Sequence, residues 1–348
     1  MYLFYSEAHQ THNPPYEILE GGVSLTSFDS PTRVDSLLSA LADMDWANLV
    51  PPLEFGLAPI KAVHTPDYLE FLRTAFERWQ QEGGQLGPDR ASPVLYAATF
   101  PPRRSQGKPK SVVGLAGYYA MDLSAAITLG TYPAILAGAQ CALSAAQAVL
   151  DGEQVAFAIC RPPGHHAGRD YGGGYCLLNN TSIAARFMST VSKQRVAILD
   201  VDYHAGNGTQ DIFYASPEVL TISLHADPSY QYPFYMGYAD EIGEGPGMGF
   251  HHNFPLPAGT PDEVYLRALT SALTLIRDFN PTYLVVAAGM DIYQDDPLGN
   301  FTVTTAGIRQ IGEQIASLAL PTVVVMEGGY YIPKLGENFL ALLTPFTN

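Results

Sequence analysis

Positive charge is scarce in this 348-residue chain: 18 lysines and arginines stand against 34 aspartates and glutamates, a formal charge of −16. Binding to nucleic-acid phosphate needs clustered Lys and Arg, so this balance argues against nucleic acid as a partner. It is compatible with a cationic substrate. Cysteine is scarce too: Cys141, Cys160 and Cys176 are odd in number and sit in apolar or Gly-rich segments. No disulfide framework follows, and a reducing cytoplasm is the expected setting. We read no apolar run approaching the roughly 18 residues that span a bilayer and no signal peptide at the start, so no membrane partner is expected. Internal repeats and low-complexity tails are also lacking. What is there, an apolar fraction of 47% with 32 glycines and 27 prolines, suits a globular enzyme with long loops.

Arg195 to Gly208, RVAILDVDYHAGNG, organises the reading. Val196 to Leu199 has the unbroken apolar character of a strand buried on both faces of a parallel sheet. It then releases Asp200, Asp202 and His204, which in an extended chain leave on one side. An Asp and a His two apart can grip one divalent metal through oxygen and nitrogen, and Gly206, Asn207 and Gly208 let the backbone turn tightly over it. Ligands of open α/β sheets sit beyond the carboxyl ends of strands, where this cluster falls.

Other strand ends behave alike. Val155 to Cys160 is a buried strand followed by Pro162, Pro163, Gly164 and the pair His165 and His166, placed to act as a general base and its neighbour. Gly172, Gly173 and Gly174 allow close backbone approach, and Tyr175 offers an aromatic wall. Thr282 to Ala288 delivers Asp291, the carboxylate that completes a three-ligand site with Asp202 and His204. Thr322 to Met326 delivers Glu327, two glycines and Tyr330, whose hydroxyl could donate to a developing oxyanion.

Further strands are expected at Tyr2 to Tyr5, at the start of Ala62 to Trp79, and at Val219 to His225. Helices are expected at Pro31 to Asp45, after Thr65 and Pro66, at Ile135 to Leu150, and at Pro261 to Phe279. Glu17, beyond a polar first loop, reads as a solvated carboxylate. Gln81 to Ser111 is a long Gly/Pro-rich insertion holding five of the 18 basic residues.

The segments RPPGHHAG, LDVDYHAGNGTQDIFY, AAGMD and EGGY resemble those of the histone deacetylase family, and LHADPSYQYPFYMGYADEIGEG with PLPAGT is similar to its acetylpolyamine amidohydrolase branch. The resemblance implies a single-domain α/β chain over 1–348 with the arginase/deacetylase fold, an eight-stranded mainly parallel sheet flanked by helices on both faces. It implies a Zn²⁺-dependent hydrolase of N-acetyl amides (with Fe²⁺ an alternative in the cell) whose substrate is a small cationic N-acetylated amine. Metal ligands fall on Asp202, His204 and Asp291, the histidine pair on His165 and His166, and the catalytic tyrosine on Tyr330. Asp200 orients His165, and Asn207 partners His166. A structural K⁺ takes the Asp200 and Ser223 side chains with carbonyls of Asp200, Asp202, His204 and Leu224. Tyr175 and Tyr232 line a substrate tunnel, with Gly174 beside them, and Glu17 meets the distal ammonium. The 81–111 loop is expected to build a homodimer.

Two positions depart from the family pattern: Ala205 stands where most relatives have a second His, and Val113 where the polyamine branch has a Glu. Loss of that carboxylate leaves a protein acetyl-lysine deacetylase as the alternative. A binuclear ureohydrolase ranks lower, because Gly206 and Gly289 stand where further carboxylates would be needed. A non-catalytic acetyl-ligand sensor also ranks lower, because no expected site residue is lost.

Overall fold

The computed structural model describes residues 1–19, 22–82, 92–102 and 107–347. Its strands are β1 (Tyr2–Phe4), β2 (Glu17–Leu19), β3 (Val23–Leu25), β4 (Asn48–Val50), β5 (Val155–Ala158), β6 (Val196–Asp200), β7 (Val219–Ala226), β8 (His251–Leu256), β9 (Tyr283–Ala288) and β10 (Thr322–Met326). Its helices are α1 (Thr32–Leu41), α2 (Ala58–Lys61), α3 (Pro66–Gln81), α4 (Val112–Tyr118), α5 (Thr131–Leu150), α6 (Asn180–Ser192), α7 (Asn207–Phe213), α8 (Asp262–Phe279), α9 (Thr305–Ala316) and α10 (Ile332–Leu343).

Eight strands form one sheet in the order β4-β1-β5-β10-β9-β6-β7-β8. Every pairing in it is parallel, as helical crossovers require. Alternate strand residues feed two cores. Ala197, Leu199, Leu284, Val286 and Val324 pack with α1, α8, α9 and α10 on one face. Val196, Ile198, Val285, Val323 and Val325 pack with α3, α5 and α6 on the other. Burial on both faces explains why these strands read as continuous apolar runs. β5, β10, β9 and β6 are consecutive neighbours at the centre, so their carboxyl-terminal loops meet.

Four readings need correction. Ala62 to His64 is no strand: the amides of Ala62 and His64 bond back to Ala58 and Ile60, continuing a helical turn opened by Pro59. Thr65 does precede α3 with Pro66 in its first turn, but its hydroxyl makes no capping bond. β8 went unread because it is an edge strand pairing only with β7, which leaves it half-exposed and polar. The third concerns apolar runs. α5 carries 20 residues with no Asp, Glu, Lys or Arg, and an 18-residue stretch of it has a mean hydropathy of 1.4, long and apolar enough to cross a membrane; here 67% of that stretch is buried inside the fold. Glu17 is the fourth: it opens a β2–β3 hairpin and is 1% exposed. Of the 81–111 insertion, residues 83–91 and 103–106, with Arg90, Arg103 and Arg104, lie outside the described residues. Lys108 is tied to Asp67 at 2.5 Å.

Candidate active site

β6 ends at Asp200, and the chain turns through Asp202 and His204 into α7. The loop after β9 brings in Asp291, and the three ligand atoms of Asp202, His204 and Asp291 lie within 4.8 Å of one another. Asp202 and Asp291 are fully buried. His204 Nδ1 sits 3.0 Å from Asp291 Oδ2 and 3.3 Å from Asp202 Oδ1. Burial and the adjacent Asp202 carboxylate push Asp291 up to about 7. Burial opposes charge on His204, but hydrogen bonding to Asp202 and Asp291 outweighs it and raises the imidazole to about 9. Two buried carboxylates and an imidazole therefore converge, and oxygen–nitrogen donors of this kind fit a divalent transition ion.

Glycines make this convergence possible. A Cβ on Gly328 would come within 2.6 Å of both Asp202 Oδ2 and Asp291 Oδ2, and its amide donates to Asp202 Oδ2 at 2.9 Å. A Cβ on Gly289 would meet Asp202 Oδ2 at 2.0 Å, and one on Gly206 would meet Asp200 Oδ2 at 2.3 Å. Further carboxylates do not fit at those two positions.

The loop after β5 places His165 and His166 side by side, ring centroids 4.0 Å apart. His165 Nδ1 pairs with Asp200 Oδ2 at 2.9 Å. Although burial disfavours its charge, Asp202 and Asp200 hold its pKa well above the ordinary value. His166 Nδ1 donates to Asn207 Oδ1 at 2.6 Å, leaving Nε2 with a lone pair. Burial, then the neighbouring His165 and His204, depress its pKa far below the usual range. The pair is thus split into one charged and one neutral ring. Gly174, at φ +52°, lies against the His166 ring, where a Cβ would meet Cδ2 at 2.2 Å.

Tyr330 follows Gly329, whose φ of +116° turns the chain after β10. Its ring packs edge-on against Tyr175 at 5.5 Å, and the Arg33 guanidinium lies 4.8 Å from its centroid. Burial keeps the phenol protonated. Tyr232 stands edge-on to both His166 and His204, 4.9 and 5.9 Å away. Ser223 pairs with Asp200 across β6 and β7, and its hydroxyl contacts His225 Nδ1 at 2.7 Å. Leu224 follows it, fully buried. Ala205 is buried away from the ligand atoms against Gly237, and Val113 is 41% exposed on α4.

Glu17 is not at a solvated mouth. It accepts from the Tyr175 hydroxyl at 3.0 Å, from Ser27 and from the Phe28 amide. It reaches the site through Tyr175, whose backbone is left-handed at φ +67°.

Four residues were missed. Arg33 is fully buried, bonded to Asp29 and to the carbonyls of Glu327 and Gly329; its place on the α1 stripe with Leu37 and Leu41 was the available signal. Asp122 accepts from the Tyr232 hydroxyl and the Gly174 amide. Asp296 accepts from the Tyr330 and Tyr331 amides at 2.6 and 3.0 Å. Glu327, though quoted in EGGY, was given no role. It is fully buried and raised to about 7 by that burial.

Comparison with known proteins bears on the family and the fold. Residues 27–345 match the model of the histone deacetylase domain. The chain is 42% identical over 342 residues to acetylpolyamine amidohydrolase 1 of Pseudomonas aeruginosa, covering 97% of this chain and 96% of that protein. It is 39% identical to the acetylpolyamine amidohydrolase of Mycoplana ramosa, over 99% and 98%. The solved acetylpolyamine aminohydrolase of Burkholderia pseudomallei superposes with a TM-score of 0.93 at 37% identity, covering 99% of this chain and 98% of that one.

Proposed function

The chain belongs to the histone deacetylase family, and from there we propose that it hydrolyses N-acetylated polyamines and short diamines to acetate and the free amine. The observation that carries this reading is the meeting, at four adjacent strand ends, of the Asp202–His204–Asp291 cation point with a neutral His166 and the Tyr330 phenol. Zn²⁺ held there, or Fe²⁺ in the cell, supplies Lewis acidity toward the acetyl carbonyl and the attacking water.

The protein's own groups handle protons and charge. His166 Nε2 takes the proton of the attacking water, because Asn207 fixes Nδ1 as the donor and burial keeps the ring neutral. The same ring then protonates the leaving amine. His165, charged beside Asp200, lends positive potential to the developing oxyanion. Tyr330 donates to that oxyanion; one such donor contributes about 2.7–4 kcal/mol. Tyr175 and Tyr232 wall the alkyl chain of the amine, with Gly174 against the His166 ring. A K⁺ at Asp200, Ser223 and the carbonyls of Asp200, Asp202, His204 and Leu224 would offset the charge behind His165.

The lack of room for a side chain at Gly206 and Gly289 supports one transition ion over the two of a ureohydrolase. The exposed apolar Val113 favours a second activity, on small acetyl-lysine substrates. We also propose a homodimer assembled through the 81–111 insertion, in the cytoplasm, where the three buried thiols stay reduced. A turnover panel of N-acetylputrescine, N-acetylcadaverine, N-acetylspermidine and an acetyl-lysine peptide tests the substrate, with the acetylated amines expected to react fastest. Preference for the peptide, or no turnover of any member, would overturn it. Sedimentation tests the dimer, which a monomer at micromolar concentration would exclude.

A further inference from the structure

Glu327 is a buried carboxylate that the chemistry above leaves unused. It ends β10, and both of its oxygens are occupied by neutral donors from other elements. Oε2 accepts from the backbone amides of Gly164 at 2.6 Å and His165 at 3.1 Å. Oε1 accepts from the Thr181 hydroxyl at 2.7 Å, in the first turn of α6. His165, Cys176 and Glu327 also present ligand atoms within 4.8 Å of one another. Glu327 is committed to these three donors, however, and His165 Nδ1 to Asp200, so this group is a hydrogen-bonded junction and not a second metal centre. β10 and β5 are adjacent in the sheet, so the side chain crosses one strand gap to grip the loop that carries both histidines.

We propose that Glu327 is a positioning residue for the reaction: it clamps the backbone of the Gly164–His166 loop, setting where the His166 lone pair and the His165 ring stand relative to the metal ligands. The inference rests on the roles given to His165 and His166 above. Its physical basis is reach. A buried amide must be satisfied, and a carboxylate oxygen shared by two consecutive amides fixes both at once. Displacing a proton-transfer group by about 1 Å costs on the order of 10²-fold in rate, because the attack geometry is lost. Neighbouring β10 and β9 are joined in the same manner, Asp296 from the β9 loop accepting the amides of Tyr330 and Tyr331.

The test separates reach from charge in the metal-loaded, full-length enzyme. Glu327→Asp keeps the charge but withdraws the oxygens by one methylene; kcat should fall about 10²-fold with KM within a few-fold and metal content unchanged. Glu327→Gln removes the charge but keeps an oxygen at full reach for the two amides and offers its NH₂ to Thr181; kcat should stay within several-fold of wild type. In the His166→Ala background, Glu327→Asp should cost less than it does in the wild type, since part of its effect passes through the His166 ring. Normal kcat in Glu327→Asp, collapse of Glu327→Gln, or fully additive losses with His166→Ala would each overturn the clamp. If Glu327→Asp does not fold, the Gln variant alone decides. A His166→Ala enzyme with normal turnover would remove the underlying reading and the clamp with it, a result distinct from those three.

Discussion

Two regions of this molecule bury carboxylates, by different means. In the N-terminal segment, Glu17 takes its bonds from a phenol, a hydroxyl and an amide, and Asp29 is flanked by Arg33 and Arg161. At the central strand ends, Asp202 and Asp291 face each other across one imidazole. A carboxylate supplied with donors from its surroundings is an anchor for the chain. Asp202 and Asp291 also take backbone amides, from Gly328 and Tyr203, but they converge on one imidazole, and such a donor set fits a bound cation. Burial is nearly the same in both regions, so burial does not distinguish a site from a strut; the partners do.

The sharpest way to break this comparison is at the shared cation point. Asp291→Asn should abolish tight transition-metal binding and turnover together, while Glu17→Gln leaves metal content at one equivalent; metal analysis with a competing chelator reads both. Retention of metal by Asp291→Asn would move the centre elsewhere. Next in size are the groups that touch protons and the oxyanion but hold no metal. His166→Ala should lower kcat by about 10²–10⁴-fold and Tyr330→Phe by about 10²–10³-fold, each with metal retained. Near-normal turnover in either would cancel its role.

The framework makes a pH prediction of its own. His12, His64 and His225 are held near 4, and His251 near 3, chiefly by burial. A histidine depressed on folding contributes stability that is complete above its unfolded value of 6.5 and is lost as pH falls toward its folded value. At about 1.4 kcal/mol per pKa unit for each ring, chelated protein should lose several kcal/mol between pH 6.5 and about 4, read as a falling Tm. A flat Tm across that window would mean these rings are not buried neutral. The smallest effect is at the hairpin. Glu17→Gln keeps an acceptor for Tyr175, so charged and uncharged acetyl amides should slow by the same few-fold factor. Selective loss of the diamines would restore direct contact between Glu17 and the substrate ammonium.

Legibility in the sequence followed the same division. Strand β6 could be read because its apolar run and its polar release are contiguous, and the loops after β5, β9 and β10 repeat that local pattern. Gly174 was legible as a place of close approach, though not what it approaches. Arg33, Asp296 and Glu327 act on backbone groups up to 296 residues away in the chain, and nothing beside them in sequence states that partnership. Glu17 was misread for the same reason: it follows a polar loop, and the Tyr175 that encloses it lies 158 residues on. α5, rich in alanine, has the length and apolarity of a spanning run yet packs inside the fold.

The position of β10 has a consequence for synthesis. β10, which follows the other described strands in the chain, is inserted in the middle of the sheet, between β5 and β9. Before it emerges from the ribosome, the sheet can be paired only in two parts, β4-β1-β5 and β9-β6-β7-β8. Asp202, His204 and Asp291 all belong to the second half, whereas His165 and His166 belong to the first. The metal ligands can therefore be gathered before β10 is in place, with His165 and His166 tied to their loop through Asp200 and Asn207; β10 then brings Tyr330 and Glu327. A chain cut short before residue 322 should hold the ligands without the reaction, because it lacks the oxyanion donor.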